Sequence, residues 1–161
     1  MEQATIDDAL NLISRHFAGL TDEDGEPYVM HCIRVMQGVE GEHAKQVALM
    51  HDLVEDTPVT LEELRDRNFA PEVVEAVDLV THPDAMSYAD YVVRLKKNPI
   101  ARQVKMSDLR DNSSIARVLY RPAESLEKDL RRIQKYILSY QFLQDRLSED
   151  EYLKYMAMVQ E

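Results

Sequence analysis

Tryptophan is absent from this chain, cysteine occurs once and glycine four times in 161 residues. A single thiol, Cys32, excludes an internal disulfide and any zinc framework built on several cysteines, and is expected to act as a small buried apolar residue. With four glycines and six prolines, helices have few forced breaks, and most prolines fall where a helix would start. No apolar run approaches the ~20 residues that a bilayer span demands. The N-terminus MEQATIDDAL lacks the basic start and apolar stretch of a leader, so a cytoplasmic protein is expected. Positive charge is also scarce: 19 Lys and Arg against 30 Asp and Glu give a formal net charge of -11. That balance argues against nucleic acid or an anionic membrane as a partner. One stretch differs, RLKKNPIARQVK from Arg94 to Lys105, with five basic residues and no acid. It is either the local source of positive potential for a phosphate-bearing ligand, with Lys97 and Arg102 as candidate contacts, or a solvated helix face.

What the chain does have is helical periodicity. Ile6, Ala9, Leu10, Ile13 and Phe17 form one stripe after a Thr5 cap, and Pro27 opens a second helix with Tyr28, His31, Val35 and Met36. A third helix is expected from Glu42 to Val54. Thr60 with Glu63 is a capping box, Pro71 starts another helix, Ser87 with Asp90 another, and Asn98-Pro99 caps the helix that carries Asp108. The longest element is expected from Pro122 to Leu147. Its residues Leu126, Leu130, Ile133, Ile137, Tyr140, Leu143 and Leu147 form one apolar stripe, read as packing on its own core, with a homodimer seam as the alternative use. Ser148 and Glu151 cap a last helix. The fold class is therefore all-α: a bundle of about eight or nine helices in a single domain over residues 1–161.

Four ligand-type residues stand out: His31, the adjacent His51-Asp52, and Asp108. Two imidazoles and two carboxylates suit one divalent cation, and a nearby acidic pair, Glu55-Asp56, suits proton handling on an attacking water. On a helix, His51 and Glu55 share a face, as do Asp52 and Asp56, and Lys105, Asp108 and Asn112 fall within about 60° of one another. Plainer readings stand beside this: a satisfied helical histidine, a charged face in HDLVED, a helix-terminating role for Asp108 and Asn112. Against them, Asp52 and Asp108 have strongly apolar neighbours, and a carboxylate placed there needs a partner.

Three ordered runs then point to a family: GEPYVMH (Gly25 to His31), ALMHDLVEDTPVTLEEL (Ala48 to Leu64) and KMSDLRDN (Lys105 to Asn112). They resemble the HD superfamily of metal-dependent phosphohydrolases, specifically the hydrolase domain of RelA/SpoT-type alarmone enzymes and their small stand-alone relatives. The resemblance implies an HD-domain helical bundle. It also implies His31, His51, Asp52 and Asp108 as ligands of one metal ion, typically Mn2+, with Fe2+ or Zn2+ also compatible with the donors. Glu55 and Asp56 would position or deprotonate the attacking water, with Lys105, Asn112 and Tyr28 near the bound nucleotide. The implied reaction is hydrolysis of the 3′-pyrophosphate of guanosine tetra- or pentaphosphate. Two-metal members carry extra histidines between the HD pair and the last aspartate; here only His82 lies there, and His16 and His43 match no role.

Two departures bear on substrate. Where the alarmone hydrolases have a basic pair before GEPY, this chain has Asp22, Glu23 and Asp24, and Leu20 replaces a glutamine after Gly19. An acidic loop there is expected to repel a highly charged substrate. It favours another phosphoester such as NADPH or a nucleoside monophosphate. A third reading is a non-catalytic nucleotide-sensing or partner-binding domain that keeps a structural metal. The chain ends at Glu161 with no synthetase region, so a hydrolase-only protein is expected.

Overall fold

The computed structural model describes residues 2–119 and 121–160. Among them the architecture is all-α: α1 (Ile6–His16), α2 (Tyr28–Gln37), α3 (Glu42–Met50), α4 (Leu53–Asp56), α5 (Leu61–Asp66), α6 (Pro71–Val80), α7 (Tyr88–Leu95), α8 (Pro99–Asn112), α9 (Leu126–Leu143) and α10 (Glu149–Gln160). Two 3-10 turns, Ile115–Arg117 and Ala123–Ser125, join α8 to α9. No described helix is long and apolar enough to cross a membrane.

The caps form where the side chains call for them. Thr60 accepts from the Glu63 amide at 3.2 Å, Asn98 from the Ile100 and Ala101 amides at 3.0 Å, and Ser148 and Glu151 bond each other's backbone amides. Each satisfies orphan N–H groups at a helix start. Where a helix must end in the left-handed region and no glycine is available, Asn68 and Asp145 take that conformation, both at φ 61°. Short polar side chains tolerate it best.

α3 is the axis of the fold. Ala44, Gln46, Val47, Ala48, Leu49 and Met50 are all buried, because α1, α2, α6 and α8 pack around it. Glu42, His43 and Lys45 at its start reach solvent, and from Gln46 to Met50 every residue is buried. The predicted helix from Glu42 to Val54 is interrupted: α3 ends at Met50, and Asp52 adopts φ -104°, ψ 1° before the single turn α4. The bridge-region backbone at Asp52 turns the chain without losing helical spacing, since the Asp56 amide still donates to the Asp52 carbonyl at 2.9 Å.

The long stripe is the larger correction. α9 runs only from Leu126 to Leu143, and Leu126, Leu130 and Ile137 are 52%, 57% and 49% exposed. The face that α9 turns inward carries Asp129, Ser139, Phe142 and Leu143 instead. At about 100° per residue, Leu126, Leu130, Ile133 and Ile137 lie roughly 80–140° around the helix from Leu143. The six that lie on α9 therefore make two faces rather than one, and Leu147 falls beyond the helix. The inward face is chosen by polar partners: Asp129 meets Arg121 at 2.7 Å and Arg132 at 2.9 Å, and Ser139 meets the Tyr152 hydroxyl of α10 at 2.9 Å.

Candidate metal centre

α2 and α8 flank the C-terminal end of α3, and their crossing is close. A Cβ on Gly38, at the end of α2, would lie 2.1 Å from Ser107 Oγ of α8. Ser107 in turn donates to the Val35 carbonyl at 2.8 Å. The approach brings His31 of α2 against Asp108 of α8, with His51 and Asp52 arriving from α3.

The four predicted ligands meet. His31 Nε2 lies 3.2 Å from His51 Nε2, 3.3 Å from Asp108 Oδ1 and 3.8 Å from Asp52 Oδ2. His51 Nε2 lies 2.9 Å from Asp52 Oδ2 and 3.6 Å from Asp108 Oδ1. Donor atoms of His31, His51 and Asp52 all fall within 4.8 Å of one another. His31, His51 and Asp108 are buried, while Asp52 is partly open to solvent.

The tautomers follow from the outer partners. His51 Nδ1 is 2.7 Å from the Ala48 carbonyl, which can only accept, so this nitrogen carries the hydrogen. His31 Nδ1 donates likewise to Asp111 Oδ2 at 2.7 Å. Both Nε2 atoms therefore turn lone pairs toward each other and toward two carboxylate oxygens. Each of those two oxygens also accepts from outside, Asp52 Oδ2 from Tyr28 and Asp108 Oδ1 from Asn112, but the two facing Nε2 lone pairs have no donor between them and call for a proton or a cation. Mixed imidazole and carboxylate donors suit a borderline or hard divalent ion, so this His/Asp cluster can hold a metal. Burial pushes the His51 imidazole down, but Asp52 and Asp108 outweigh it and hold its pKa well above the ordinary value. Burial likewise pushes Asp108 up, and the Lys105 charge with the His31 and His51 bonds holds it well below the carboxylate range.

Lys105 and Asn112 fall on one face of α8 with Asp108, as their spacing predicts, and both are spent on it. Lys105 Nζ donates to Asp108 Oδ2 at 2.8 Å, and Asn112 Nδ2 donates to Oδ1 at 2.6 Å. Tyr28 hydroxyl donates to Asp52 Oδ2. These three residues, expected beside a nucleotide, hold ligand carboxylates in place. Glu55 and Asp56 lie on α4, exposed. Glu55 accepts the His82 amide at 3.0 Å. Partial burial, then the charges of Asp52 and Glu55, raise the Asp56 carboxyl above its ordinary value. His82 bonds the Met86 carbonyl at 2.8 Å rather than joining the cluster.

Lys97 and Arg102 are not brought to the cluster. Arg102 pairs with Asp145 at 2.6 Å, where Lys96 also binds at 2.9 Å, and Lys97 is exposed. Arg94 goes to Asp78 at 2.8 Å. Of the basic stretch only Lys105 reaches the site, because the α7–α8 corner faces Asp145 after α9.

Five residues that the sequence pattern does not single out complete the surroundings: Asp111, Arg34, Arg117, Arg121 and Arg132. Asp111 receives His31 Nδ1, Arg34 Nε at 2.7 Å and Arg117 Nη1 at 2.9 Å. Arg117 also pairs with Asp22 and Asp24 at 3.0 Å each. Arg121 and Arg132 take Glu23 at 2.9 Å each. The acidic loop is thus neutralised by three arginines from the segment after α8, and the expected repulsion of a charged substrate loses its basis. The i, i+3 spacings His31/Arg34 and Asp108/Asp111 were the available signal, since each puts two groups on one helix face.

A helical domain built around a buried two-histidine, two-aspartate cluster defines the class of protein: an HD-type fold. No family model matches the chain. It is 32% identical over 139 residues to a GTP pyrophosphokinase of Streptomyces coelicolor, covering 78% of this chain and 16% of that protein. It is 37% identical over 76 residues to the guanosine-3′,5′-bis(diphosphate) 3′-pyrophosphohydrolase of Vibrio cholerae, covering 45% and 11%. The Aquifex aeolicus protein of the same name is 31% identical over 100 residues, covering 55% and 14%. The chain spans only 11–16% of the length of these curated relatives. Over the matched residues the chain is similar to these alarmone-metabolising enzymes.

Proposed function

We propose that this chain is a divalent-metal-dependent phosphohydrolase acting on a phosphorylated nucleotide. Removal of the 3′-pyrophosphate of guanosine tetra- or pentaphosphate is the nearest named reaction. The observation that carries it is the convergence of two imidazole lone pairs and two carboxylates on one point, next to an acidic pair. Relatives named as 3′-pyrophosphohydrolases supply the reaction class. Residues 1–161 are taken as one domain working on a cytoplasmic nucleotide pool.

In this reading His31, His51, Asp52 and Asp108 hold one ion, with Mn2+ favoured over Fe2+ and Zn2+. When bound, such an ion offsets charge on a phosphoryl oxygen and acidifies water. The chain's own residues do the rest. Lys105 and Asn112 fix the Asp108 carboxylate, and Tyr28 fixes Asp52. Asp56, its carboxyl held above the ordinary carboxylate value by burial and by the charges of Asp52 and Glu55, accepts a proton from the attacking water. Glu55 anchors α4 to the His82 amide beside it. With Asp22, Glu23 and Asp24 paired to arginines, a highly charged substrate meets no field of bare carboxylates. NADPH and nucleoside monophosphates therefore lose the argument that favoured them.

The test incubates Mn2+-loaded protein with guanosine tetraphosphate, NADPH and nucleoside monophosphates, measuring pyrophosphate and phosphate separately. Pyrophosphate from the tetraphosphate is expected, with Asp108→Ala losing both turnover and metal. Wild-type rates in that variant on every substrate cleaved defeat the metal reading. Phosphate release from NADPH alone defeats the substrate assignment and leaves the metal reading standing.

A further inference from the structure

His31 and His51 are anchored differently. His51 Nδ1 donates 2.7 Å to the carbonyl of Ala48, three residues back in its own helix, so backbone geometry alone orients that ring. His31 has no such anchor. Its Nδ1 donates across the α2–α8 crossing to Asp111 Oδ2, also at 2.7 Å. Asp111 is itself held at both oxygens: Arg34 Nε donates to Oδ1 at 2.7 Å, Arg34 Nη2 reaches Oδ2 at 3.2 Å, and Arg117 Nη1 reaches Oδ2 at 2.9 Å. Arg34 follows His31 by nearly one turn on α2, so the imidazole and the guanidinium grip one carboxylate from the same face.

We propose that Asp111 is a positioning residue: it fixes the Nδ1–H tautomer and the ring plane of His31, so that Nε2 faces the ligand cluster, with Arg34 and Arg117 holding Asp111 in turn. The inference rests on the metal reading above and adds to it an ionic support for one ligand. A carboxylate behind a ligating imidazole raises its basicity and removes its rotational freedom, and losing such a partner typically weakens metal binding about 10–100-fold. Arg117 extends the support outward. Its Nη1 also donates to Asn112 Oδ1 at 3.1 Å, so the supports of His31 and of Asp108 share one guanidinium. Its other nitrogens go to Asp22 and Asp24. The loop before α2 is thereby tied to the ring it precedes.

The experiment titrates Mn2+ into the full chain by calorimetry and reads the His31 ring by 15N NMR, for wild type, Asp111→Ala and Asp111→Asn. Circular dichroism reports the folded fraction of each. Asp111→Ala is expected to bind Mn2+ about 10–100-fold more weakly and to show mixed His31 tautomers. Asp111→Asn, whose amide oxygen still accepts from Nδ1, keeps the tautomer and loses less affinity. If Asp111→Ala does not fold, Asp111→Asn against wild type decides: a weakened Mn2+ affinity supports the proposal and an unchanged one sinks it. Folded Asp111→Ala with wild-type affinity and a single Nδ1–H tautomer overturns the proposal alone. Failure of wild type to take up Mn2+ overturns the metal reading, and this proposal with it.

Discussion

At the scale of single residues, the site is a problem in acceptor chemistry. Two imidazoles whose Nδ1 hydrogens are spoken for cannot also donate to each other, and Asp52 and Asp108 add only lone pairs. The sequence made the four residues visible because Asp52 and Asp108 sit among apolar neighbours, where a carboxylate needs a partner. It did not make Asp111 visible, since a carboxylate near the end of a helix looks like ordinary surface until Arg34 and His31 are placed against it. The acidic pair divides unequally: Glu55 is bonded to the His82 amide, and Asp56 carries the raised carboxyl. Asp56→Asn is therefore expected to cut turnover about 10²–10⁴-fold, the usual value of a general base, with Mn2+ affinity kept. Retained turnover in that variant removes its role. Cys32 gives a simpler test. Burial first, with Asp52 and Asp108 adding to it, pushes its thiol up to about 12. The native protein at pH 8 should leave a thiol reagent unreacted until denaturant is added; rapid native labelling contradicts the burial.

At the scale of elements, caps were legible and faces were not. Thr60, Ser87, Asn98 and Ser148 each announce a helix start through a local bond to the next turn, and such bonds need no knowledge of the rest of the fold. The face that α9 buries depends on Asp129 finding Arg121 and Arg132 and on Ser139 finding Tyr152, contacts no periodicity encodes. The consequence is measurable in urea melts. Leu130→Glu on the exposed stripe should shift stability by no more than about 0.5 kcal/mol, whereas Leu143→Ala in the core should cost about 2–5 kcal/mol. Comparable losses in both would show that the stripe is covered. The α2–α8 crossing is tighter still. Gly38→Ala puts a methyl group into Ser107 and should cost about 1–3 kcal/mol, and a neutral result would mean that the two helices can separate without penalty.

At the scale of the whole molecule, a net charge of -11 conceals a local balance around the site, where Arg34, Arg117, Arg121 and Arg132 meet the loop and Asp111. Burial raises the Asp24 carboxyl, but bonds from Arg117 and Arg121 outweigh it and hold it below the ordinary carboxylate value. A group with a depressed folded pKa stabilises the protein above its unfolded value and ceases to do so as the pH falls through the folded one. The tie between loop and arginines is thus intact at neutral pH and is lost in acid, as the pH falls through the depressed folded value. Asp24→Asn should narrow the drop in urea midpoint between pH 7 and pH 3, and an unchanged drop would discount the tie. The facing lone pairs of His31 and His51 carry one more implication. They come from α2 and from the end of α3, and Asp108 comes from α8, so three segments far apart in the chain converge on one place for a cation. Whatever ion fills it binds the folded form and not the unfolded one, and mass action then makes that ion a rivet of the fold. At about 100 times its dissociation constant it adds about 2.7 kcal/mol. The melting temperature should climb with Mn2+ and fall with chelator in wild type, and stay flat in both for His51→Ala.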